Sequence, residues 1–194
     1  MGLPLAIKAH REGNLNEAER QYRRALEQGC TEPVLFQNLG ALLRKTNSKE
    51  ADEVFCRGLA HHPYDAGILG NRANLLRDNS PADALGHALV ALRQRLRQGA
   101  SIEKQRDLWL TVISLLRELG ASHWALGQAQ EALRWLGDDP RLLTQLLLLL
   151  DADVTPAWQL PPQVDVEQLR HRLEAELATA CLLYTSDAAD DTPC

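Results

Sequence analysis

Three asparagines are the side chains of this chain whose type and spacing best suit recognition chemistry. Asn38 and Asn71 lie 33 residues apart, in the segments FQNLG and LGNRAN, and Asn74 stands about one helical turn beyond Asn71. A carboxamide offers two N–H donors and one carbonyl acceptor, so it pairs with both the C=O and the N–H of a peptide backbone. A ladder of such groups holds a chain without reading its side chains. That chemistry binds; it does not catalyse.

Other reactive residue types are scattered. His61 and His62 precede Pro63, but nothing in the sequence positions further ligands around them, so they read as turn residues at the surface. Cys30 and Cys56 are isolated, and Cys181 and Cys194 lie in the last fourteen residues, with no CxxC or Cys/His ligand spacing. Neither a disulfide framework nor a zinc site is expected, and a reducing, cytoplasmic setting fits best. No nucleophile motif, glycine-rich phosphate loop or metal cluster appears. The reading is a non-enzymatic chain with no cofactor.

Charge narrows the partners. The chain has 194 residues, with 21 Lys and Arg against 26 Asp and Glu, for a net charge of −5. That balance does not suit a nucleic-acid binder or a polybasic membrane surface. Met1 is followed by only a short apolar run before His10, Arg11 and Glu12, so no signal peptide is read. The greasiest run, 142–150, is interrupted by Thr144 and Gln145 and is too short to span a bilayer.

The elements that must carry the asparagines repeat with a period of 33. The blocks GNLNEAERQYRRAL (13–26), TNSKEADEVFCRGL (46–59) and NSPADALGHALVAL (79–92) align without gaps. Asn14, Asn47 and Ser80 fall at the helix N-cap, with Glu17 and Glu50 three residues on and Pro81 in the first turn. Ala18, Ala51 and Ala84 align, as do Ala25, Gly58 and Ala91, and these small residues let a second helix approach. Tyr22 and Phe55 supply a bulky plug that becomes Ala88 in the third block. An earlier helix precedes each block, at 34–45 and 67–78, with Pro33 and Pro63 expected in the turns between repeats.

This pattern resembles the tetratricopeptide repeat (TPR) family. The small–aromatic–small signature followed by Pro matches Ala18, Tyr22, Ala25 and Pro33, then Ala51, Phe55, Gly58 and Pro63. The Leu-Gly pair of the first helix matches Leu39 and Gly40. The departures are a period of 33 rather than the usual 34, a third repeat without the aromatic, and a short first helix in repeat one. The resemblance implies an all-α, TPR-like helix-turn-helix solenoid, a right-handed superhelix of antiparallel helix pairs. It also implies that the first helix of each pair lines a concave groove, which makes Asn38, Asn71 and Asn74 the peptide-binding groove residues. The ladder resembles the arm of O-linked N-acetylglucosamine transferases and SPINDLY-type proteins. A second TPR class clamps a C-terminal carboxylate, to which Arg72 and Asn38 could contribute, although a basic residue in the first repeat is missing.

Three TPR-like repeats are assigned to 3–98. Residues 99–150 hold a degenerate fourth repeat and a leucine-rich helix, with Gly120 ending one helix, Ser122 capping the next, and Asp139 and Pro140 starting the last. Trp109, Trp124 and Trp135 are expected in the core, and 146–150, apolar all round, is expected to be covered on both sides. A Pro-rich linker follows at 151–164, with Trp158 docking it, then an amphipathic helix at 165–180. The leading function is a protein–protein interaction scaffold. The alternative is the recognition arm of a larger bacterial transferase, a glycosyltransferase, sulfotransferase or methyltransferase whose catalytic domain is missing. Residues 181–191, CLLYTSDAADD, back-translate with chosen synonymous codons into a transposon end and sequencing adapter. The segment 181–194 is therefore expected to be read-through, and the chain a fragment interrupted near Ala180.

Overall fold

Asn14 and Asn47 start helices by the mechanism their register predicts. The Asn14 carboxamide oxygen accepts from Glu17 N at 3.3 Å and that of Asn47 from Glu50 N at 3.2 Å. Each satisfies one of the backbone donors that a helix start leaves without a partner. Ser80 occupies the same place with no side-chain bond, and there Pro81 at the first helical position fixes the start. Pro33 does likewise: it opens a helix rather than lying in the turn before it.

The computed structural model describes residues 2–137, 139–151, 171 and 175, and among these there are nine α-helices and no strand. The linker at 152–164, Trp158, the expected helix of 165–180 and the tail at 181–194 lie outside this description. The chain divides into two units, 1–100 and the residues from 101 onward.

The first unit contains α1 (Gly2–Arg11), α2 (Leu15–Glu27), α3 (Pro33–Leu43), α4 (Ser48–His61), α5 (Ala66–Leu76) and α6 (Pro81–Arg97). They pack as the pairs α1/α2, α3/α4 and α5/α6. Ala18, Ala51, Ala84, Ala88 and Ala91 are fully buried, as the small-residue register requires. Tyr22, Phe36 and Phe55 share one core cluster with Ala18 and Ala51. The Phe55 ring lies directly over Gly40, so that a Cβ there would stand 2.5 Å from Cζ and 2.7 Å from Cδ1. Gly58 faces Phe36 in the same manner, with 2.7 Å from its added Cβ to the Phe36 Cβ. Successive repeats are also tied by charge: Arg23 of α2 forms a two-pronged pair with Glu50 of α4.

The second unit contains α7 (Ile102–Glu118), α8 (Ser122–Leu136) and α9 (Pro140–Asp151). Gly120 ends α7 with φ +73°, a conformation open to glycine, and Ala121 N closes the turn on Leu116 O at 2.8 Å. Ser122 is the first residue of α8 rather than its cap, and Ala121 in the cap position offers no side-chain acceptor. Asp139 caps α9 through Arg141 N and Leu142 N, while its other oxygen pairs with Arg106 of α7 at 2.7 Å. Leu142, Leu143, Leu146 and Leu149 are buried, whereas Leu148 is exposed. Among the described residues α9 is therefore covered on one side only.

Two of the three tryptophans expected in the core are not there. Trp109 is buried, but Trp124 is 72% and Trp135 53% exposed. The reason lies in the period of α8. Ala125, Ala129 and Ala132 occupy its buried face, and Trp124 and Trp135 fall outside that stripe.

Candidate peptide-binding face

Helical geometry divides α3 cleanly. Leu35, Phe36, Leu39, Gly40 and Leu43 are buried. Val34, Gln37, Asn38, Ala41, Arg44 and Lys45 are exposed or half-buried, and at 100° per residue they span about 120° of the helix. The period of 33 carries the same open arc to α1, with Leu5, Lys8, Arg11 and Glu12, and to α5, with Asn71, Asn74, Arg77 and Asp78. The three candidate asparagines therefore share one face of the first unit.

Their side chains are not equivalent. Asn38 Nδ2 donates to the Tyr22 hydroxyl at 2.7 Å, and the same hydroxyl lies 3.3 Å from His10 Nδ1. Tyr22 is fully buried, and burial pushes its hydroxyl pKa up, partly offset by the Asn38 bond. It stays a neutral phenol that accepts from Asn38. Asn71 Nδ2 donates to the Gln37 carbonyl at 3.1 Å, joining α5 to α3. Gln37 Nε2 reaches back to Asp65 Oδ1 at 2.8 Å, the oxygen that also caps α5 through Ile68 N. Asn74 is exposed. Two rungs are thus fixed by neighbouring helices and the third stands in solvent. Removing Asn38 leaves a buried hydroxyl short of a partner, so this residue is structural as well as a candidate contact.

Sequence reading did not identify Gln37 or Asp65. Their signal is faint, because the Gln37–Asp65 bond joins residues of different repeats and has no counterpart at the matched positions Gly70 and Gln98. Gly67 is the local clue: a Cβ there would meet the Gln37 carboxamide at 2.5–2.8 Å.

Arg72 is committed elsewhere. Its Nε donates to Asp52 of α4 at 2.8 Å and its guanidinium lies 3.1 Å from His87 Nε2 of α6. With both edges of its fork engaged, Arg72 is poorly placed to clamp a terminal carboxylate. The geometry requires His87 Nε2 to accept, which the neutral ring does. Burial first, then the Arg72 charge, lowers the His87 pKa, with Asp83 and Asp52 opposing. A lowered folded-state pKa contributes stability that is full above the unfolded value of about 6.5 and is lost as pH falls through the folded value. Melting temperature is therefore expected to fall between pH 7.5 and pH 5, and His87→Gln, which keeps an acceptor, should flatten that part of the profile. Superimposable profiles for the two proteins would rule this coupling out.

His61 is the last residue of α4 rather than a turn residue and stacks on Phe36 with centroids 6.1 Å apart, while His62 caps that helix and its Nε2 lies 2.6 Å from Thr31 O. Among the described residues no group of three His, Cys, Asp or Glu is gathered for a metal. No helix among them is long and apolar enough to cross a membrane. In the second unit a cleft of about 660 Å³ is lined by His123, Trp124, Gly127, Gln128 and Glu131 of α8. Glu131 is already held by Arg134 at 2.9 Å and by the Trp135 indole at 3.2 Å.

Comparison with known proteins places the fold. MamA matches with a TM-score of 0.68 at 11% identity, covering 100% of this chain and 95% of MamA. Pseudomonas aeruginosa PilF matches at 0.70 and 18% identity, covering 92% of this chain and 74% of PilF. A chain in the structure of the APC/C hetero-tetramer Cut9–Hcn1 matches at 0.62 and 17% identity, covering 89% of this chain and 35% of the matched one. No family model matches the sequence, and no curated protein matches it. At these identities the likeness is one of fold, and the fold is an all-helical, TPR-like solenoid.

Proposed function

We propose that this chain is a non-catalytic scaffold that holds a protein or peptide partner along the open face of α1, α3 and α5. Asn38, Asn71 and Asn74 grip the partner's backbone. The observation that carries this reading is the pinning of two carboxamides. Asn38 and Asn71 each commit one N–H to a neighbouring helix, which leaves a carbonyl oxygen and a second N–H for a ligand. Because the side chains are already ordered, binding does not have to freeze them, and that lowers its entropic cost. The fold agrees, since the structurally similar Cut9 is found in a hetero-tetramer with Hcn1.

The residues that test this most cleanly are Asn71 and Asn74, because Asn38 also supports Tyr22. Asn71 donates to a carbonyl within a helix, and Asn74 is exposed. A random peptide library displayed against the full chain supplies ligands, and the selected peptide is titrated calorimetrically. Asn71→Ala with Asn74→Ala should weaken it about tenfold, corresponding to roughly two net hydrogen bonds, with helix content unchanged. Equal affinity for the variant, or a library that yields no binder, would sink the reading.

A further inference from the structure

The open face carries a second row beside the asparagines. Arg11, Arg44 and Arg77 recur at intervals of 33 residues, each at the C-terminal end of a first helix. We infer that this row reads the side chains of the partner, which is an extended acidic peptide with carboxylates three residues apart. The inference rests on the proposed binding face and specifies what that face selects.

Arg11, Arg44 and Lys45 are exposed, and none of them has an ion-pair partner among the described residues. Glu12, the acid nearest Arg11, pairs with Lys8 at 3.9 Å. Arg77 is half-buried and already engaged, and Asp78 follows it, so the strong end of the row lies on α1 and α3. Cations at helix C-termini also complement the macrodipole. That role does not consume them, because a guanidinium has five donors in a fork that suits a carboxylate. Charge complementarity points the same way. Residues 1–100 hold 14 Lys and Arg against 11 Asp and Glu, in a chain whose net charge is −5.

The spacing follows from packing. The first helices α3 and α5 pack directly and are joined by the bond from Asn71 to the Gln37 carbonyl, and His10 of α1 shares the Tyr22 hydroxyl with Asn38 of α3. Packed helices lie about 8–10 Å apart. Three residues of polyproline-II conformation advance about 9 Å and return to the same side of the chain. Two residues of β-strand advance only about 7 Å, and four reach about 13 Å. A Glu-x-x-Glu segment therefore matches the step from one packed first helix to the next, so that its carboxylates follow the arginine row while its backbone meets the asparagines.

The test is fluorescence polarisation with labelled twelve-residue peptides on the full chain. One peptide carries Glu at every third position in a Pro/Ser/Ala background; an isomer of identical composition clusters its Glu residues at one end. The spaced peptide should bind about tenfold more tightly than its isomer, the worth of one or two well-formed pairs with arginine. Added salt should narrow the gap. Arg11→Gln with Arg44→Gln should abolish the preference, whereas Arg57→Gln with Arg93→Gln, exposed on α4 and α6, should leave it. Equal binding of the isomers, or an equal loss in the Arg57/Arg93 variant, overturns the inference. If library-selected neutral peptides still depend on Asn71 and Asn74 in that event, the binding face itself survives.

Discussion

Replacing Phe55 with alanine is expected to destabilise the first unit by about 3–5 kcal/mol, the usual cost of emptying a buried aromatic site. Phe55 is fully buried and its ring lies against Gly40. It therefore ties α4 to α3 at Gly40. Gly40→Ala should be costly for the complementary reason, by about 1–3 kcal/mol, because its Cβ has to push the ring aside. The two effects should not add. Once Phe55→Ala has emptied the site, the Cβ at position 40 enters vacated space, and its cost should largely disappear. A double-mutant cycle by urea denaturation should give a coupling of about 1–3 kcal/mol. Simple additivity would show that the ring does not dictate glycine at position 40.

This coupling explains why the fold was legible in the sequence. A solenoid repeats its local contacts, so each constraint is written several times at a fixed interval, and Ala18, Ala51 and Ala84 are one packing requirement stated three times. The caps are equally local: Asn14 and Asn47 each satisfy a donor three residues away. What depended on nearest neighbours along the chain, or on the same contact in every repeat, could be read directly.

The candidate face was legible only in outline, for a physical reason. The sequence places Asn38, Asn71 and Asn74 on first helices, but what each amide touches is decided by residues of other helices. Asn38 and Asn71 occupy matched positions and yet differ: one serves a buried tyrosine of α2 and the other a main-chain carbonyl of α3. Only a tyrosine brings that hydroxyl, and the matched plug in the next repeat is Phe55. Arg72, a basic residue on a first helix, is drawn off by Asp52 and His87. Trp124 and Trp135 of α8 lie outside the core because helical phase, not residue type, decides burial. The alanine stripe at 125, 129 and 132 already assigned the buried face.

The third repeat offers the sharpest use of that logic, because it changed both sides of the contact. The matched positions of Gly40 and Phe55 are Ala73 and Ala88, and both alanines are fully buried. Where the plug is small, the socket has gained a methyl. Ala88→Phe should therefore destabilise the protein by about 1–3 kcal/mol or more, since the ring meets the Ala73 Cβ where the second repeat has none. Ala73→Gly alone should also destabilise, by about 1 kcal/mol from helix propensity, with a further loss of packing. In the Ala88→Phe background the same change should become stabilising, because it recreates the socket that Gly40 provides. Chemical denaturation of the four proteins checks the reversal. If Ala73→Gly lowers the midpoint in both backgrounds, plug and socket are not matched across this interface, and the spacing of α5 and α6 is set elsewhere.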